Sequence, residues 1–335
     1  MVTRGRAVAA AAIVSGPALA TLGYLALSKR PAPPPPTEWV AESASTQGPV
    51  RAVFAGVSTV CLDDGETTLL VDGFFSRPPA RRVLLGRIAP DVAAIEDGLR
   101  RMAVSSAAAV IVTHSHYDHA LDAPEVARQS GADLIGSAST LMLGRGAGLP
   151  ADRLRRAEPG EAMTYGAFEV RVVATEHSPK PAWPGPITGP VHPPTRASAY
   201  KMGTCFIVHI THTDSGGRRR RLLLQASAGY VPGSLLDAPA EVAFLGVPTL
   251  GKQPPQYREA YWRETVTVPG VRRVLPVHWD DFTDGRSADD DLRPLPSLFD
   301  DLDVTREFLA AKRAAEGVEF AFPRRWRPFD PWAGA

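Results

Sequence analysis

Residues 110–122 read VIVTHSHYDHALD, which places His114, His116, Asp118 and His119 within six positions directly after a run of valine and isoleucine. The chain of 335 residues has eight histidines in all, so three in so short a stretch are a concentration rather than scatter. Neutral imidazole nitrogen suits a borderline-soft divalent ion such as zinc, and a nearby carboxylate offsets part of its charge. Metal-assisted chemistry is therefore the first expectation. With Val110–Val112 on a buried strand, Thr113–His119 becomes the loop leaving its carboxyl end, where layered α/β sheets place ligands. His114 and His116 lie two apart and can project to one side, with Asp118 and His119 following into the turn.

One cluster does not close a metal site, so further ligands are expected at other strand ends. His177 ends the strand FEVRVVATEH (168–177), and His278 ends VRRVLPVHW (271–279). Both are candidates. His192 lies in a proline-rich loop, His209 lies mid-strand and His212 lies near a turn, and these three read as non-ligands.

The elements that must carry these residues begin near residue 50. GVSTVCLDDGETTLLVDGFF (56–75) reads as a hairpin turning at Asp63-Asp64-Gly65. Val92, Ile95, Leu99 and Met102 recur on one face and predict a helix over 91–102. A buried strand is expected at 108–113 and a short helix at 123–130. Strands follow at 168–174, 204–212 and 221–226, then a helix at 254–265, a strand at 273–277 and a helix at 303–314. Early hairpins followed by a strand-helix rhythm point to a layered α/β domain rather than an all-β sandwich.

Composition narrows the rest. Lys plus Arg (37) nearly cancels Asp plus Glu (36), so no global field recruits nucleic acid. Cys61 and Cys205 are far apart in apolar strands and read as small buried hydrophobes, with a disulfide as the lesser reading. The arginines 218–221 fall at a hairpin tip and read as solvated charge. The C-terminal RRWRPFDPW (324–332) is expected to dock against its own domain. Residues 7–27 form an uncharged apolar run of a length that can span a bilayer, flanked by Arg4, Arg6, Lys29 and Arg30. We read residues 1–30 as a signal or membrane anchor, with cleavage after Ala18-Leu19-Ala20 as the competing outcome. PAPPPP then opens a stiff linker over 31–49. Residues 50–335 remain as the functional domain, membrane-anchored on the extracytoplasmic face or, if the segment is cleaved, secreted.

The motif HxHxDH at 114–119 resembles the signature of the metallo-β-lactamase-fold hydrolases. THSHYDHALD and PVHWDDF are most similar to the branch of N-acyl-phosphatidylethanolamine phospholipase D and the ascorbate-6-phosphate lactonase-like proteins. The resemblance spans about residues 50–285. It implies a four-layer αββα sandwich with a metal site at one edge. It also implies that His114, His116 and His177 hold one zinc ion, that Asp118, His119 and His278 hold a second, and that Asp72 supports the site from behind.

One position departs from the family. Its bridging aspartate follows a strand, and LLLQASAGY (222–230) has Ser227 there. A neutral hydroxyl neither balances nor spans two cations well. Three outcomes stay open: a single zinc, two ions with Asp280 or Asp281 recruited, or a metal-binding or sensing protein that has lost turnover. The leading expectation is a zinc-dependent hydrolase that uses metal-activated water on an ester, lactone or phosphodiester of a small or lipid-like molecule. Asp118 is its expected catalytic carboxylate. The loop 178–200 is expected to form one wall of the cleft.

Overall fold

The computed structural model describes residues 30–40, 48–285 and 292–335. The expected anchor over residues 1–30 lies outside them except for Arg30. Among the described residues no helix is long and apolar enough to cross a membrane.

The strands are β1 (Arg51–Gly56), β2 (Thr59–Asp63), β3 (Thr68–Val71), β4 (Ala109–Ile111), β5 (Asp133–Gly136), β6 (Leu154–Arg156), β7 (Ala162–Tyr165), β8 (Phe168–Thr175), β9 (Cys205–Thr213), β10 (Arg219–Gln225), β11 (Val242–Gly246), β12 (Arg273–Val277), β13 (Glu319–Phe320) and β14 (Pro328–Phe329). The helices are α1 (Ala80–Leu85), α2 (Val92–Arg101), α3 (Tyr117–Ala120), α4 (Ala123–Ser130), α5 (Ala138–Gly146), α6 (Pro255–Trp262) and α7 (Leu302–Glu316).

Two seven-stranded sheets form, in the orders β14-β1-β2-β3-β4-β5-β6 and β13-β12-β11-β10-β9-β8-β7. Followed along the chain, the early strands of each sheet pair antiparallel and the later ones parallel, from β3–β4 in one and β10–β11 in the other, with β14 returning antiparallel to β1. Alternation along the strands explains the layering. Ala52, Phe54, Leu69, Val71 and Ile111 face the second sheet and join its Val170, Val208, Leu224 and Phe244 in one core. Val53, Leu70 and Val110 face the other way, onto Ile95 and Leu99 of α2 and Val126 of α4. Tyr261 and Trp262 of α6 and Leu309 of α7 extend the inter-sheet core on the far side. The order is therefore helix, sheet, sheet, helix, the four-layer sandwich expected.

The middle parallel strands are buried on both faces, which is why β4 and β11 carry apolar runs rather than alternation. α2 starts at Asp91, whose side chain accepts from the Ala94 amide, and α4 stops at Gly131 in the left-handed conformation. The expected strand at 273–277 and helix at 123–130 match the observed bounds.

Two expectations need correction. The proline-rich stretch is not a free spacer where it is described. Trp39 packs against Trp279 and Phe322, the Val40 amide donates to the Phe322 carbonyl (2.9 Å), and Glu38 takes two bonds from Arg306 (2.9 Å each). An indole and a valine gain more by burial than the prolines lose by bending, so this part of 31–49 belongs to the folded body. The arginine run, second, begins at the hairpin tip but mostly lies in β10, where Arg219, Arg220 and Arg221 face Glu169, Asp214 and Glu241. Solvated, loosely paired charge remains the right reading. The C-terminal segment docks as expected: β14 pairs with β1, and Arg325 Nε donates to the Ala55 carbonyl (2.9 Å).

Candidate metal centre

Four strand ends meet at one edge of the sandwich. Asp72 follows β3, Thr113 and His114 follow β4, His177 follows β8, and His278 follows β12. The helix turn α3 supplies Asp118 and His119. Ligand atoms of His114, His116 and His177 lie within 4.8 Å of one another, and so do those of Asp118, His119 and His278. His114 and His119 have ring centroids 3.9 Å apart, so the two groups adjoin. All six residues singled out in the sequence are thus brought together. His192, His209 and His212 are not among them: they bond the Gly146 carbonyl, the Pro239 carbonyl and Asp64, respectively.

Hydrogen bonding assigns the free nitrogens. His116 Nε2 donates to the Ala182 carbonyl (2.7 Å), leaving Nδ1 to face His114 Nε2 at 3.1 Å. His177 Nδ1 donates to the Ser178 carbonyl (3.1 Å), which leaves its Nε2 bare. His119 Nδ1 lies 2.8 Å from Asp72 Oδ2 and 2.9 Å from Ser58 Oγ. A carboxylate partner holds the proton on Nδ1, so Nε2 carries the lone pair. That Nε2 is buried without a hydrogen bond, as is His278 Nδ1. The orphaned His119 Nε2 faces the Asp118 carboxylate, as a cation site requires, whereas His278 turns its other nitrogen, Nε2, toward Asp118; the donor set of imidazoles with one carboxylate fits a zinc-like ion.

Electrostatics agree. Burial, together with the neighbouring imidazoles, pushes His114 well below the ordinary histidine value, and the same causes bring His177 down to about 3. Both stay neutral at physiological pH, as ligation demands. Burial alone would raise the Asp118 carboxyl, yet His119 and His278 beside it hold it below the usual carboxylate range. Its Oδ2 is 3.2 Å from His278 Nε2 and 3.5 Å from His119 Nε2. Burial opposes charging of His119, but Asp118 and Asp72 outweigh it and raise its value, so those carboxylates attract a positive charge to this nitrogen.

The support behind the ligands was only partly visible in the sequence. Asp72, fully buried, also accepts from Ser58 Oγ, the Thr113 amide (2.8 Å) and Thr113 Oγ1 (3.0 Å), so one carboxylate fixes two ligand-bearing loops. Asp72 and His278 both adopt positive φ (60° and 58°), which Asp and His tolerate better than most residues. Val57, a β-branched residue at φ 53°, takes its place in the β1–β2 turn because its carbonyl accepts from the His278 amide (2.6 Å) and its amide donates to Asp280 Oδ1 (2.8 Å). Arg77 completes this corner with an ion pair to Asp280 at 2.5 Å. Gly56 is required there, since a Cβ would lie 2.0 Å from the Arg77 guanidinium.

These bonds exclude one expectation. Asp280 is committed to Arg77 and Val57, and Asp281 to Arg30 and Thr283, so neither is free to stand in for a bridging carboxylate. Ser227 does not face the cluster with a free hydroxyl either. Its Oγ accepts from the Ser178 amide (2.9 Å) and pairs with Ser178 Oγ (2.8 Å), which ties the residue after His177 to the end of β10. Trp183 of the loop 178–200 stands 6.4 Å from the His116 ring and 6.1 Å from Tyr117. Phe282 stands 6.1 Å from Tyr117 and 5.6 Å from His278, so an aromatic rim borders the ligands on both sides.

Fold and ligand layout together define a metallo-β-lactamase-fold protein with a metal-binding edge. A profile of the metallo-beta-lactamase superfamily matches residues 52–216. It is 28% identical over 171 residues to a UPF0173 metal-dependent hydrolase of Methylobacterium nodulans, covering 50% of this chain and 65% of that protein. A second such protein, from Myxococcus xanthus, is 29% identical over 163 residues, covering 48% of this chain and 50% of its own length. The matches thus span less than two thirds of these relatives. Among solved structures, a metallo hydrolase from Ignicoccus hospitalis aligns with a TM-score of 0.52 at 15% identity, covering 84% of this chain and 98% of that one. A possible metal-dependent hydrolase from Veillonella parvula gives 0.51 at 16%, with 84% and 98% covered. At such identities the structures speak for the fold.

Proposed function

We propose that this protein is a zinc-dependent hydrolase acting on an ester, lactone or phosphodiester. The observation that carries the reading is the buried, unbonded Nε2 of His119, held toward Asp118 and His278 by the Asp72 carboxylate. His114, His116 and His177 would hold one ion, and Asp118, His119 and His278 offer ligands for a second. Zinc supplies Lewis acidity toward a scissile carbonyl or phosphoryl group and makes water reactive near neutral pH. The chain's own residues do the rest. With a single ion bound, Asp118, kept ionised by the adjoining imidazoles, would orient the attacking water and accept its proton. Trp183, Tyr117 and Phe282 hold the apolar part of a substrate and exclude solvent from it. This rim favours a small lipid-like ester or phosphodiester, in keeping with the resemblance of THSHYDHALD to the phospholipase D-like branch.

A second reading rests on Ser227. Without a bridging carboxylate the protein would bind metal as a sensor without turnover. The two are separated by metal content per chain, followed by hydrolysis of generic phosphodiester, ester and lactone substrates before and after chelation. Chelator-sensitive turnover supports the hydrolase, and bound metal with no turnover on the whole panel supports the sensor. For location, residues 7–27 support an anchor that leaves the domain outside the cytoplasm. Protease accessibility on intact cells tests it, and full protection would refute it.

A further inference from the structure

α1 is the one helix among the described residues that is at least six residues long and buries none of them. Leu84 and Leu85 are 73% and 84% exposed, the largest exposures among the large hydrophobic side chains of the described residues. Around them stand Arg81, Arg82 and Arg87, all exposed, and residues 77–90 (RPPARRVLLGRIAP) contain no acidic residue. Leucines flanked by arginines on an unpartnered surface helix suit the boundary between acyl chains and anionic headgroups.

Position supplies the second argument. Three residues before α1, Arg77 bonds Asp280 and the Asp281 carbonyl, just after ligand His278. Beyond α1, Arg87 bonds the Pro194 carbonyl and Ile88 pairs with Thr195, in the loop whose Ala182 carbonyl holds His116. The segment carrying the helix therefore ties the loop after His278 to the loop 178–200, the two loops whose Phe282 and Trp183 border the candidate metal centre. The same corner receives the N-terminal chain, because Arg30 bonds Asp281 Oδ2 (2.7 Å) and the Pro294 carbonyl (3.2 Å). Only Ser28 and Lys29 separate Arg30 from the apolar run ending at Leu27. A bilayer entered by that run would meet α1 and the cleft mouth on one side of the domain.

We propose that α1 is a membrane-docking helix that sets the mouth of the metal cleft against an anionic lipid surface. The leucines enter the interface, the arginines engage anionic headgroups, and molecules in that leaflet gain direct access to the aromatic rim. This surface is independent of whether the metal centre turns over.

The test uses the full chain in vesicles of phosphatidylcholine with or without phosphatidylglycerol. A polarity-sensitive thiol label is placed by Leu85→Cys, and a control label by Ser215→Cys on the exposed β9–β10 hairpin, at the end of those strands opposite His177. Cys61 and Cys205 are buried and do not compete for it. The expected result is a blue-shifted label at position 85, shielded from iodide in anionic vesicles, with the label at 215 still quenched. Arg81→Glu with Arg82→Glu should restore quenching at 85. Equal quenching of both labels in anionic vesicles and in detergent would overturn the proposal. So would equal shielding without phosphatidylglycerol, or concentration-dependent shielding in detergent, which would assign the face to a second copy of the chain.

Discussion

Replacing Asp72 with asparagine isolates the support of the metal centre from its ligands. Oδ1 accepts from the Thr113 amide at 2.8 Å and Oδ2 lies 2.8 Å from His119 Nδ1 and also accepts from Ser58. An asparagine keeps the shape but offers one oxygen and one NH2, so in either orientation donors face a donor. If the amide nitrogen meets His119, the proton is driven from Nδ1 to Nε2 and the lone pair leaves the ligand position. Loss of such a carboxylate behind a ligating histidine costs about 10- to 100-fold in metal affinity. Stability should fall as well, by on the order of 3 kcal/mol, because buried donors lose a charged acceptor. Competition against a chromophoric chelator reads the first effect and thermal unfolding the second. The weakening should fall on the ions held by His119 and its partners, while binding by His114, His116 and His177 persists. A folded variant with wild-type affinity throughout would refute the assignment of the His119 tautomer.

Further outcomes follow from the same geometry. Arg77→Leu leaves the Asp280 carboxylate fully buried with only the Val57 amide, and breaking such a pair costs about 3–5 kcal/mol, read by denaturant melts. Asp280→Asn in that background should recover part of the loss, and a single-variant loss under about 1 kcal/mol would mean that the pair behaves as a solvated one. The metal-free protein should lose stability as pH falls from about 6.5 toward 3. Over that window the unfolded chain protonates its histidines while His177, at about 3 when folded, does not, so acid favours unfolding; a flat stability profile there would count against a buried neutral cluster. Burial raises both Cys61 and Cys205 to about 12, so a thiol-specific disulfide reagent should find no reactive group until the protein is denatured. Rapid reaction of the native protein would show that one of the two strands opens.

The parts of this molecule legible in the sequence are those with strong local signals. Val92, Ile95 and Leu99 repeat at helical spacing and lie on the helix α2, and the alternating hairpin before Asp72 formed β2 and β3. Imidazoles were legible because histidine is rare and the strand ends at His177 and His278 carry it. What escaped is what depends on distant backbone. The strands β5, β6 and β7 are short, with β6 and β7 partly exposed, and carry no decisive period, while β13 and β14 exist only because an edge was there to pair with. Neither Ser58 nor Arg77 has a local pattern that announces its partner: Asp72 is 14 residues from Ser58 and Asp280 is 203 from Arg77. The docking of Trp39 was masked by the prolines before it, whose stiffness says nothing about which surface lies alongside. Ser227 was identified as a departure, but its pairing with Ser178 across 49 residues was not.

Whether the histidine edge binds divalent ions through these six side chains is read by anomalous diffraction from zinc-soaked crystals at the zinc edge. The expected result is a peak about 2.0–2.1 Å from ligating nitrogens of His114, His116 and His177, with any second peak between Asp118, His119 and His278. Peaks confined to surface residues, with the histidine edge empty at saturating zinc, would contradict it.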